Sequence, residues 1–128
     1  MSYFKEKIYY HDTDCGKVVY YANYLKYLEE ARTEFLQEKN INLKKLSSNG
    51  TWFAVKSVHI EYKRPARYQD VLRIHTDLTK ARAVSLEFHQ TVFCNEAPIA
   101  QAVTVLVCIN EKFKPKSIPD EVIAQCQE

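Results

Sequence analysis

Between Tyr21 and Lys39 the apolar residues recur at helical spacing, and beyond Gly50 the period drops to two. That change of period constrains the fold more than any other feature. Tyr21, Tyr24, Leu25, Leu28, Ala31, Phe35 and Leu36 share one helix face, while Lys26, Glu29, Glu30, Thr33, Gln37 and Glu38 lie largely on the other. At about 1.5 Å per residue such a helix is roughly 28 Å long. A first strand is expected from Phe4 to Tyr10. After a loop at Ser47–Gly50, Val58, Ile60 and Tyr62 alternate with polar neighbours, as do Leu72, Ile74 and Leu78, and then Val84, Leu86, Phe88 and Val92. The run from Ile99 to Ile109 is apolar on both faces, which suits a central strand or one covered by a partner subunit. Arg64-Pro65-Ala66-Arg67 and Asn95-Glu96-Ala97-Pro98 mark turns. One long helix with about five strands is an α+β arrangement, a sheet wrapped around the helix. A single helix covers only one face of such a sheet, so a homo-oligomer, dimer or tetramer, is expected.

Size and charge narrow the function classes. The 128 residues suffice for one core, so residues 1–128 are read as a single domain without a separate cofactor unit. A net charge of +2 carries no excess that points to nucleic acid or a membrane surface. Cys15, Cys94, Cys108 and Cys126 are widely spread, form no CxxC pair and read as reduced thiols. The start, MSYFKEK, lacks the apolar run of a signal peptide, and no apolar stretch reaches membrane-spanning length. A cytoplasmic location is expected.

The densest chemistry lies just before the helix, in YHDTDCGKVVYYANY from Tyr10 to Tyr24. Asp12 and Asp14 stand two residues apart on a short polar turn. A carboxylate at the amino end of a helix has two readings. It caps the helix, as Asp commonly does. Alternatively it acts as base or nucleophile on a carbonyl, while free backbone N–H groups and the helix dipole stabilise the oxyanion.

Other residues read more plainly. Asp12 either shares the chemistry or orders the turn. Cys15 adjoins Asp14, but no motif places a base beside it. His11, His59, His75 and His89 lack metal-ligand spacing, and the last three alternate with apolar residues as a solvated strand face does, so no metal is expected. Tyr20, Tyr21, Tyr24 and Tyr27 crowd the helix start and could line an acyl pocket, although helical spacing makes Tyr24 and Tyr27 core residues. Glu29 suits an ion pair with Arg32 or a contact with Thr33.

Three stretches in this order resemble the hotdog fold, in its 4-hydroxybenzoyl-CoA thioesterase-like family and its YbgC-type branch. They are Asp12-Thr13-Asp14, VVYYANYLKYLEEARTEFL from Val18 to Leu36, and EYKRPARYQD from Glu61 to Asp70. The resemblance runs from about Phe4 to Lys114 and implies a five-stranded antiparallel sheet around one long central helix. It also implies that Asp14 is the catalytic carboxylate and that the Tyr21 N–H holds the thioester carbonyl oxygen. Several positions depart from the pattern. Tyr21 replaces a His common in YbgC-type proteins, Lys17 replaces a Gly, and His11 stands where Glu is frequent.

The activity so implied is hydrolysis of an acyl-CoA thioester to free acid and CoA, with Asp14 as nucleophile or general base and no cofactor. Lys80 and Arg82, at a turn between strands, are placed by the resemblance near the nucleotide, often across a subunit boundary. Arg64 and Tyr20 complete the expected substrate contacts. Acyl-carrier protein is the other conceivable thioester donor, and the relatives' association with the Tol-Pal envelope system points to a bacterial source. Two alternatives remain open: a non-hydrolytic acyl-CoA or acyl-carrier-protein binding module, and a hotdog hydratase or dehydratase, for which no His motif is present.

Overall fold

The computed structural model describes residues 3–127. Five strands form one antiparallel sheet: β1 (Phe4–Lys7), β2 (Trp52–Tyr62), β3 (Val71–Ala81), β4 (Ser85–Cys94) and β5 (Ala97–Ile109). Their spatial order is β1-β3-β4-β5-β2. The long helix α1 (Asn23–Glu38) packs across the sheet, and two short helices, α2 (Leu43–Ser48) and α3 (Asp120–Cys126), flank its far end. This is the α+β hotdog architecture, a sheet wrapped around one helix.

The two-residue period decides which side chains reach the helix. Leu72, Ile74 and Thr76 on β3, then Leu86, Phe88, Gln90 and Val92 on β4, are buried. So are Ala100, Ala102, Thr104, Leu106 and Cys108 on β5. Two clusters result. Tyr24, Tyr27, Leu28 and Ala31 meet Ile8, Val19, Ala66 and Leu72 under the first half of α1. Leu36 meets Leu86, Phe88, Ile118 and Val122 under the second half. As its two-sided apolar pattern requires, β5 is paired on both sides. Asn95 and Glu96, both at positive φ (51° and 69°), make the tight turn into it.

Several sequence expectations need correction. The first strand ends at Lys7 rather than Tyr10, because the Tyr9 N–H donates to the Asp12 carboxylate and Tyr10–Asp12 coil into a 3₁₀ turn. The two short helices carried too few residues for a periodic signal. Helix α1 starts at Asn23, two residues later than expected. Tyr27 is buried as expected, but the buried stripe also takes in Arg32, whereas Leu25 is exposed. Arg32 does not pair with Glu29 within ion-pair distance; its Nη1 turns into the core and donates to Gln90 Oε1 at 3.1 Å. Gln90 Nε2 in turn donates to the Leu28 carbonyl and to Thr76 Oγ1, so this buried polar group is held on several sides.

Candidate active site

The segment from Tyr9 to Tyr24 folds back on itself twice. Asp12, only 3% exposed, closes the first bend, its Oδ2 accepting the Tyr9 N–H at 2.9 Å. Its other oxygen lies 3.6 Å from His11 Nε2 and 3.9 Å from Lys26 Nζ. A second bend follows at Asp14. The Asp14 N–H donates to the Val18 carbonyl (3.0 Å), and the Lys17 N–H donates to the Asp14 carbonyl (2.9 Å). The Asp14 Oδ1 accepts the Gly16 N–H at 2.8 Å. Lys17 takes a left-handed backbone, φ 65°, at the position where a Gly is the family habit. Val19 N–H then docks the bend on the β2–β3 connection through the Ala66 carbonyl at 2.7 Å.

Asp14 does not cap the helix. The residue before α1 is Ala22, which offers no side-chain acceptor, and the first turn of α1 carries no acidic residue. The first helical amides instead turn back on the preceding carbonyls, Asn23 N–H to Tyr20, Tyr24 N–H to Tyr21 and Leu25 N–H to Ala22, which leaves the two amides ahead of them. Among the described residues, no acceptor is found for the Tyr21 or Ala22 N–H. Such a helix start presents a partial positive charge and two available donors.

Tyrosines ring this opening. The Tyr20 and Tyr21 ring centroids are 4.9 Å apart, Tyr24 and Tyr62 are 5.2 Å apart, and the Tyr62 hydroxyl donates to the Tyr21 carbonyl at 3.2 Å. The neighbouring Tyr21 hydroxyl, with burial and Asp14 contributing less, raises the Tyr20 pKa. Burial, then Asp12, raises that of Tyr27, whose buried hydroxyl finds no acceptor within hydrogen-bond distance. A cleft of about 250 Å³ opens beside the helix start, lined by Val19, Tyr21, Tyr24, Tyr62, Lys63, Arg64 and Pro65. Larger depressions lie between α1 and β1–β3 and on the outer sheet face, away from the aspartate turn.

Asp14, Tyr20, Tyr21 and Arg64 are thus gathered at one end of the molecule. Asp14 is exposed in the single chain and stands beside this cleft rather than in its lining. Lys80 and Arg82 are not gathered there. They sit at the far end of β3, roughly 30 Å along the strand from Val71 at about 3.3 Å per residue. His59, His75 and His89 lie on the sheet face away from α1, each within 3.6 Å of a carboxylate two residues away. Asn23 carries a role that periodicity did not reveal: its Nδ2 donates to the Asp12 carbonyl at 2.9 Å. A polar residue at the first helical position, on an otherwise tyrosine-rich stretch, was the available signal.

Known proteins agree with this architecture. The family model described as thioesterase-like superfamily matches residues 9–126. The acyl-CoA thioester hydrolase YbgC of Escherichia coli O157:H7 is 37% identical over 121 residues, covering 93% of this chain and 90% of that protein. The acyl-CoA thioesterase YbgC of Haemophilus influenzae is 34% identical over 94% of this chain and 90% of its own length. The crystal structure of a probable thioesterase from Bartonella henselae superposes with a TM-score of 0.87 at 31% identity, covering 91% of this chain and 98% of that one. By fold, sequence and the extent of these matches, the chain belongs to the thioesterase-like superfamily, among its YbgC-type thioester hydrolases.

Proposed function

We propose that this enzyme hydrolyses acyl-CoA thioesters, with Asp14 as the reacting carboxylate and the Tyr21 N–H as the oxyanion donor. The observation that carries the reading is the uncapped start of α1, where unpaired amides are tied through Asp12 to the turn that bears Asp14. As the carbonyl carbon becomes tetrahedral, its oxygen gains charge, and one preorganised amide there is worth on the order of 3 kcal/mol. Two routes use the carboxylate. Its oxygen attacks the carbonyl carbon, expelling CoA thiolate and leaving a mixed anhydride that water cleaves. Alternatively it takes a proton from water, and the resulting hydroxide attacks and expels the thiolate. In both, one water is consumed and one acid and one thiol are released.

The second copy belongs to the same reading. Strand β2 is a sheet edge of eleven residues, and on it Val55, Val58 and Tyr62 are 53%, 38% and 45% exposed. An unpaired edge with apolar side chains calls for a partner strand. Lys80 and Arg82, remote from Asp14 of their own chain, would then reach the CoA phosphates only from a neighbouring protomer.

The test is Asp14→Asn, with thiol release from a panel of acyl-CoAs followed by a disulfide reagent. Turnover is expected to vanish while circular dichroism and oligomeric size stay unchanged. Retained thiol release would move the chemistry to another group. A single turnover in ¹⁸O-water that leaves label in the Asp14 carboxyl establishes the anhydride route, with water opening the anhydride at the aspartyl carbon.

A further inference from the structure

The two halves of the site come from separate segments, and one oxygen joins them at two points. The Asp12 main-chain carbonyl accepts the Tyr20 N–H at 3.0 Å and the Asn23 Nδ2 at 2.9 Å. Asn23 also closes the arch on itself, its own N–H donating to the Tyr20 carbonyl at 2.9 Å. Tyr21 and Ala22, the residues with unpaired amides, are therefore the crown of a short arch whose two feet rest on one carbonyl. That carbonyl belongs to the residue two positions before Asp14, and the Asp12 carboxylate anchors it from the other side through the Tyr9 N–H. A carbonyl oxygen has two lone pairs, and both are used here.

Of these contacts, the Asn23 amide is the one made by a side chain across eleven residues, so it is the one that sequence can remove without breaking the backbone. We infer that Asn23 is a positioning residue for hydrolysis: its side-chain amide fixes the free amides at the start of α1 relative to the Asp14 carboxylate. The inference rests on the reading of Asp14 and the Tyr21 amide given above. Asn23 touches no reacting atom; it acts through Asp12. Its loss leaves the arch on the Tyr20 amide and the Tyr62 hydroxyl at the Tyr21 carbonyl, with no side chain tying it to the Asp12 carbonyl. Small misplacements of this kind cost reacting groups about 10- to 100-fold in rate.

The test compares Asn23→Ala and Asn23→Asp with the parent enzyme, measuring kcat, KM and the melting temperature, together with the affinity for a non-hydrolysable acyl-CoA thioether. A residue that merely supports the helix predicts that Asp restores function, because an acid in the first helical turn favours the helix dipole. A positioning residue predicts the opposite, because a carboxylate cannot donate to the Asp12 carbonyl. The expected result is a fall in kcat of about 10- to 100-fold in both variants, with KM and thioether affinity within about two-fold. Wild-type kcat in Asn23→Ala, recovery of kcat in Asn23→Asp, or a loss confined to KM would overturn the inference. Should Asn23→Ala not fold, Asn23→Asp alone decides through the same kcat and KM split. Retained activity in Asp14→Asn would instead overturn the reading beneath it, and the two failures are told apart by which variant stays active.

Discussion

The Gly16 N–H donates to Asp14 Oδ1 at 2.8 Å, and a Cβ built on Gly16 would stand 3.1 Å from that same oxygen. A side chain at position 16 therefore fits only if the carboxylate gives way by a few tenths of an ångström. Gly16→Ala is expected to push the Asp14 carboxylate aside by a few tenths of an ångström or more. The fall in kcat should reach about 10-fold or beyond, with little change in melting temperature because the position is exposed. Steady-state kinetics beside a thermal melt checks this, and an unchanged kcat would show that the carboxylate tolerates the shift.

Lys17 sits one residue further on with φ 65°. A left-handed conformation costs an L-residue about 1–2 kcal/mol, while glycine loses about 0.4–1 kcal/mol more chain entropy on folding. Lys17→Gly is thus expected to stabilise the fold by about 0.5–1 kcal/mol. A higher urea midpoint with unchanged slope is the signature; a lower midpoint would mean that the lysine side chain makes a compensating contact.

Behind the turn, Glu6 titrates above the ordinary value of 4.5, first through burial and then through the charge of Glu30 beside it. A carboxyl with a raised folded-state pKa binds its proton more tightly in the native protein. Its contribution to stability is then full below 4.5 and is lost as pH rises through the raised value. Glu6→Gln, which stays neutral, should flatten this decline and raise the denaturation midpoint near pH 7 relative to the parent. Parallel pH–stability curves for the two proteins would remove Glu6 as the cause.

Val58 points to the helix side of β2, paired with Thr104, yet is 38% exposed on that edge strand. Val58→Asp is expected to leave the protomer folded but to shift sedimentation toward the monomer. If a neighbouring protomer supplies part of the CoA site, thiol release falls with it. An unchanged sedimentation coefficient would place the subunit contact elsewhere.

The division between what the chain announced and what it concealed follows range. The α+β class, the long helix, the two-sided β5 and the buried Tyr24 and Tyr27 were legible because periodicity is a local property: each residue's face is set by its neighbours three or two positions away. The Asp12-Thr13-Asp14 turn was legible as a motif. Tertiary structure decided the rest. Whether Asp14 caps α1 depended on where a bend eleven residues long would dock, and the structure turns its carboxylate to Gly16 instead. Arg32 looked like a surface partner for Glu29 because burial of a guanidinium depends on finding Gln90, fifty-eight residues away. The role of Asn23 was hidden for the same reason: a single side-chain amide gains meaning only from the carbonyl that the fold brings to it.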